Sequence, residues 1–221
     1  MVNTLIDIHT HHGEPGMTYI KNLFPENVAK TENPGYFSMG LHPWYIDLEN
    51  VDKKLELVNQ VSAKKNVLAI GETGPDRLAH ASMDIQLEVF RKQIAIAENV
   101  NKPVIIHAVK SFNEVVELKK QTGSDIPWIV HGFNGKTELA KMLLDHGMFL
   151  SFGAALLNQN SNAAKVLKVV PTEKLFFETD ESQAGIKEIY KAASSILAMD
   201  FANLQMRISD NFSKVFINKN E

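Results

Sequence analysis

Six side chains of metal-ligand type stand at one kind of place along this sequence. Asp7-Ile8-His9-Thr10-His11-His12 follows the short apolar segment Leu5-Ile6. Alternate residues of a strand point to the same side, so His9 and His11 would present two imidazoles from one strand end. Neutral imidazole is a common ligand for zinc and its neighbours, so this pair amounts to half of a metal site. A single His-x-His carries little weight among eight histidines. Four further apolar runs give it weight by ending the same way. Val67-Leu68-Ala69-Ile70-Gly71 ends at Glu72, Pro103-Val104-Ile105-Ile106 at His107, Pro127-Trp128-Ile129-Val130 at His131, and Leu175-Phe176-Phe177 leads through Glu178-Thr179 to Asp180. Singly, each residue could cap a strand or the following helix. As a set, five strand ends carrying His, Glu or Asp point to metal-assisted chemistry.

Amphipathic stretches separate these runs. Leu48, Val51, Leu55, Val58 and Val61 mark one face of a helix over 47–64. Similar spacing predicts helices over 83–99, 111–121, 136–146 and 160–169, and from about 184 to 217 with a break near Met199-Asp200. Tyr36–Gly40, closed by Leu41-His42-Pro43-Trp44, and Met148–Gly153 read as two more strands. Residues 12–35, rich in Gly, Pro, Asn and Glu, read as a long loop suited to an active-site rim. Continuous apolar strands alternating with amphipathic helices imply an α/β chain with a parallel sheet covered on both faces. With no linker, composition shift or repeat, residues 1–221 read as a single domain. In an open sheet, strands about 4.8 Å apart would spread six strand ends over about 24 Å, too far to share a small ion. A closed barrel gathers them around one mouth. The expectation is therefore a TIM-type (β/α) barrel with seven strands legible and the eighth, between the two C-terminal helices, reduced or missing.

Composition narrows the chemistry. The 221 residues are 44% hydrophobic, enough for a real core. There is no cysteine, which excludes disulfides, a Cys-type zinc site and a Cys nucleophile, so any metal must be held by His, Asp and Glu. The sequence shows neither a signal-peptide pattern nor an apolar run of membrane-spanning length, and reads as cytoplasmic with no membrane partner. Net charge is −3, and Lys53-Lys54, Lys64-Lys65 and Lys119-Lys120 read as solvated helix faces. Nothing forms a basic stripe to grip long duplex DNA, and no obligate protein partner is evident.

Read in order, these motifs resemble the TatD family of metal-dependent hydrolases along nearly the whole chain. The resemblance is carried by Asp7-x-His9-x-His11, Gly40-x-His42-Pro43, Ile70-Gly71-Glu72-x-Gly74, Pro103-Val104-Ile105-Ile106-His107, His131-x-Phe133-x-Gly135 and Glu178-Thr179-Asp180. It implies a TIM-type barrel with two divalent metal ions and, for several members, deoxyribonuclease activity. One ion would be held by His9, His11, Glu72 and Asp180, the other by Glu72, His107 and His131, with Glu72 bridging. The chain departs from the family at Pro75, where an aliphatic residue is usual, and at Lys110, where an Arg is expected. It also departs after Asp180, where Glu181–Gly185 replaces a longer substrate loop.

A dinuclear site would bring a shared water toward ionisation near neutral pH for attack on phosphorus and would stabilise the charge that builds on the phosphoryl oxygens. Asp180 would orient that water or take its proton, with Glu72 the second catalytic carboxylate. His42, Arg77 and Lys110 follow successive strands and are the candidates for holding phosphate. His12, His80 and His146 read as surface or structural, and Trp44 as a packing residue or a platform for a base. The expected substrate is a phosphoester such as a nucleic-acid end, and the acidic balance favours short or single-stranded DNA. The ion could be Zn, Mg, Mn or Ni. Two alternatives stay open: an amide or lactone hydrolase on the same barrel, whose bridging carboxylated lysine would replace His107, and a non-catalytic barrel serving as a binding module.

Overall fold

The apolar runs are strands in the computed structural model, which describes residues 4–217. The strands are β1 (Ile6–Thr10), β2 (Thr18–Leu23), β3 (Tyr36–Met39), β4 (Val67–Thr73), β5 (Val104–Ile106), β6 (Trp128–Val130), β7 (Phe149–Phe152) and β8 (Leu175–Phe177). The α-helices are α1 (Val51–Ser62), α2 (Met83–Asn99), α3 (Phe112–Thr122), α4 (Thr137–Asp145), α5 (Asn162–Leu167), α6 (Ile186–Leu197) and α7 (Phe201–Phe212). The strands lie in chain order, and β1–β2, β3–β4, β4–β5 and β7–β8 pair in parallel.

The eighth strand exists, but not where the sequence reading looked for it. It is β2, inside the segment read as a loop. Between α6 and α7 the chain only turns, through Ala198 in the left-handed region and Asp200, whose carboxylate caps α7 by accepting from Ala202 N and Asn203 N. Thr18–Leu23 carries no strand signature in the sequence because it lacks a continuous apolar run. Ile20, Asn22 and Leu23 are buried, while Thr18, Tyr19 and Lys21 are half-buried. A 3-10 segment, Pro25–Glu32, follows it. Helix α1 is shorter than the predicted 47–64, because Asp47 accepts hydrogen bonds from Glu49 N and the Asn50 side chain and holds a turn there.

Two compact units make up the chain: one runs to Lys21 and resumes at Val130, the other is Asn22–Ile129. In the first, Ile6, Ile8, Phe152, Phe176 and Phe177 are buried with Ile189, Tyr190, Leu204 and Ile208 of α6 and α7. The Tyr190 hydroxyl donates to Ile6 O at 2.9 Å and accepts from Ile6 N at 3.3 Å, pinning α6 to the start of β1. In the second, Leu41, Leu55 and Val89 form one cluster, and Trp128 packs against Phe90 with ring centroids 5.5 Å apart.

Candidate metal centre

In the first unit, backbone pairing sets the ligands. The ends of β1 and β8 run on as a bridge between Thr10 and Asp180. Asp180 N donates to His9 O at 2.9 Å, and His11 N donates to Asp180 O at 3.1 Å. Asp180 takes φ 53°, a left-handed conformation uncommon outside glycine, of the sort found where side-chain aim matters more than backbone comfort. Its Oδ1 lies 3.4 Å from His9 Nε2 and 3.5 Å from His11 Nε2. The His131 ring stands 4.4 Å from that of His9, centroid to centroid.

Two buried carboxylates support this group. Glu178 is fully buried, and its Oε1 accepts from Gly132 N at 2.6 Å and lies 3.2 Å from His131 Nδ1. Asp7 accepts from His9 N and Thr179 N and, at 2.6 Å, from the Thr179 hydroxyl. Burial pushes the Asp7 carboxyl up to about 7 against those hydrogen bonds.

Side chains do the corresponding work in the second unit. Glu72 Oε1 lies 2.8 Å from His107 Nδ1 and 3.4 Å from His42 Nε2. The other His107 nitrogen, Nε2, is 2.9 Å from Asp76 Oδ2. Asp76 also accepts the Trp44 indole N–H at 2.6 Å and Leu78 N at 2.7 Å. Burial opposes its charge, but the donors from His107, Leu78 and Trp44 outweigh that and hold its carboxyl below the usual range. Trp44 N donates to His42 Nδ1 at 3.2 Å, which turns Nε2 toward Glu72. Close backbone approach is built in. A Cβ at Gly40 would meet Glu72 O at 2.7 Å, and one at Gly74, where φ is +137°, would overlap His107 O. Asn22 of β2 accepts from both Glu72 N and the Ser38 hydroxyl.

The donor sets suit a divalent ion. With bonds near 2.1 Å, tetrahedral ligand atoms lie roughly 3.4 Å apart. That matches the separations between Asp180 and its two histidines and between Glu72 and His42. His9, His11 and Asp180 form one such group, and His42, Glu72 and His107 another. His42, expected to hold phosphate, thus lies among ligand types. Arg77 is more than half exposed, ion-paired with Glu114, and donates through Nε to Lys110 O at 2.8 Å. Lys110 is exposed, with φ 54°. Asp76, Glu178 and Asn22 were not singled out from sequence. For Glu178, a carboxylate directly after the apolar run Leu175-Phe176-Phe177 was the available signal, whereas Asn22 and Asp76 follow no continuous apolar run.

The family model described as TatD related DNase matches residues 18–217. The chain belongs to the TatD family. A relative from Bacillus subtilis, the uncharacterized metal-dependent hydrolase YabD, is 37% identical over 198 residues, covering 82% of this chain and 77% of that one. The deoxyribonuclease Tat-D of Schizosaccharomyces pombe is 30% identical over 132 residues, 58% of this chain and 42% of that one. Among solved structures, YJJV, a TatD homologue from Escherichia coli, superposes with a TM-score of 0.84 at 21% identity, covering 98% of this chain and 99% of that one. The fold is accordingly the TIM-type (β/α) barrel of TatD homologues. As a TatD chain the protein is a metal-dependent hydrolase. No described helix is long and apolar enough to cross a membrane.

Proposed function

We propose that this TatD-family chain hydrolyses phosphoester bonds, with short or single-stranded DNA as the substrate class, using two divalent ions. The observation that carries the reading is that His9, His11 and Asp180 converge as one ligand group and His42, Glu72 and His107 as another. His131 adds an imidazole beside His9. When bound, the ions would lower the pKa of a water and offset charge on the phosphoryl oxygens. The chain supplies the rest. Asp180 aims a carboxylate from a backbone fixed at both its N–H and its C=O, suited to orienting the water and receiving its proton. Arg77, whose Nε donates to Lys110 O, and Lys110 itself would supply positive charge for the phosphate, although Arg77 must first loosen from Glu114.

The lactone or amide alternative is disfavoured because a histidine, His107, stands where a carboxylated lysine would serve as the bridge. The test is a panel of phosphodiester, phosphomonoester, single-stranded DNA and lactone substrates, assayed before and after metal stripping and again after adding back each ion. Phosphoester turnover that is lost on stripping, restored by an ion and lost in Glu72→Ala is the expected result. Turnover indifferent to stripping rejects the mechanism, and a preference for lactones rejects the substrate class. The number of ions lost in Glu72→Ala measures whether this one carboxylate serves both.

A further inference from the structure

A patch of exposed apolar surface borders the second unit's ligand group. Trp44 and Leu78 are more than half exposed and Tyr45 is half exposed. They follow β3 and β4, at the ends where His42 and Glu72 stand. Exposed apolar side chains scattered singly need no explanation, but these three share neighbours. Trp44 Nε1 donates to Asp76 Oδ2 at 2.6 Å, and Leu78 N donates to the other oxygen of that carboxylate at 2.7 Å. The rings of Trp44 and Tyr45 lie 6.3 and 5.7 Å from that of His42, centroid to centroid. Resting on the phosphoester reading above, we propose that Trp44 is a stacking platform for one unpaired base of the nucleic-acid substrate. It selects single strands and frayed ends over paired duplex.

Two features separate a platform from a packing residue. The first is the indole's exposure. A hydroxyl or an amide would supply Asp76 with a donor without leaving a large apolar ring in water. The second is that the ring is fixed before anything binds. Pro43 opens the 3-10 turn Pro43–Tyr45, and Trp44 N donates to His42 Nδ1 at 3.2 Å. The indole edge is tied to a carboxylate that is almost completely buried. An aromatic ring already held in place loses little freedom on binding. Its position sets its use. Asp76 Oδ2 meets both the indole and, at 2.9 Å, His107 Nε2, so one oxygen atom joins the platform to the ligand group. A nucleotide whose base lies on Trp44 has its phosphate one sugar away, within reach of an ion held by Glu72 and His107. Every base has a π-face, so the platform tolerates any sequence. A base inside a duplex is covered by its neighbours on both sides and has no face to offer.

The chain carries its own reporter. Of its two tryptophans, Trp128 is fully buried and Trp44 more than half exposed, so quenching by an added oligonucleotide reports on Trp44. A phosphorothioate single strand, which resists turnover, is titrated into protein saturated with the ion that restores turnover. KM and kcat are then measured for a cleavable single strand, for the same strand with abasic residues and for a GC-clamped duplex. The single strand should quench the fluorescence, and the abasic strand and the duplex should not. Trp44→Ala should raise KM for the single strand about 10–100-fold with little change in kcat, and leave the abasic strand's KM where it was. Trp44→Phe, which keeps a ring but has no donor for Asp76, should recover most of that loss. Equal losses in the two variants, or equal losses for base-bearing and abasic strands, overturn the platform and leave Trp44 acting only through Asp76. If the alanine variant does not fold, wild-type quenching by the base-bearing against the abasic strand decides. Strand cleavage without quenching overturns the platform alone. Turnover of small phosphoesters with no binding of any strand overturns the platform and the DNA substrate class, but not the phosphoester chemistry.

Discussion

The two units hold ligands of the same chemical type by different means. In the first, the strand ends themselves make the geometry: Asp180 exchanges backbone hydrogen bonds with His9 and His11, so shifting the β1–β8 register would move all three ligands together. In the second, register alone is insufficient. Glu72 and His107 are placed by glycines that let backbones touch and by long polar side chains that tie strands to helices. Gln93 of α2 accepts from Leu41 N and donates to Thr73 Oγ1 and Leu41 O, and Gln86 does the same for Asp76 and Ala81. Backbone-set ligands should survive side-chain edits nearby and fail only when the ligand itself is removed. Side-chain-set ligands should be sensitive to distant changes.

The largest expected effect lies on the backbone-set side. Asp180→Asn keeps the volume and the backbone bonds but removes the charge and the proton acceptor. Turnover should fall about 10²–10⁴-fold with little change in the unfolding midpoint. A large loss of stability would mean that the backbone pairing does not hold Asp180 unaided. Next is Gly74→Ala on the other side, a change of one methyl group. The new Cβ would overlap His107 O at a φ of +137°. We expect a loss of about 3 kcal/mol in urea unfolding, combining backbone strain with overpacking. A change below about 1 kcal/mol would show that β4 and β5 can separate without consequence. Smaller still is Trp44→Phe. It removes one donor from Asp76 at a ring that is more than half exposed. About 1 kcal/mol of stability should go, and metal affinity should weaken with the first unit's ligands untouched. Unchanged affinity would detach Trp44 from the site.

The same contrast explains what the sequence made legible. Strand ends bearing His9, His11, Glu72, His107, His131 and Asp180 stood out because an ionisable residue closing an apolar run is conspicuous, and the fold's strand–helix alternation follows from the same runs. Side-chain scaffolding left no such mark. Asn22 sits in a strand whose Thr, Tyr and Lys hide the alternation, so β2 read as loop and the eighth strand was sought between α6 and α7. Asp76 follows Gly74-Pro75, a turn-like context, and its contacts to His107 and Trp44 span 31 and 32 residues, beyond any local pattern. From sequence His42 reads as a phosphate ligand because, like Arg77 and Lys110, it follows one of three successive strands. Only its distance to Glu72 shows that it stands with the metal-type group.

The smallest effect concerns pH, and it also belongs to the side-chain-set unit. Lys102, just ahead of β5, sends its ammonium to Ser62 O at 2.5 Å and Lys64 O at 2.7 Å, tying the end of α1 to the start of a ligand-bearing strand. Burial pushes its pKa down from 10.5 to about 8. Between those values the unfolded chain binds more protons than the folded one, so stability should rise with pH from about 8 to about 10.5 and be insensitive to this group below 8. Because Lys102 remains partly solvated, the rise should be modest. It is read as the difference between wild type and Lys102→Met in urea midpoints across that window, with the variant lacking the upward slope. Should the two proteins share one profile, the carbonyl contacts would be holding the ammonium charged, and the α1 tie would count among the fixed parts of the scaffold rather than its titratable ones.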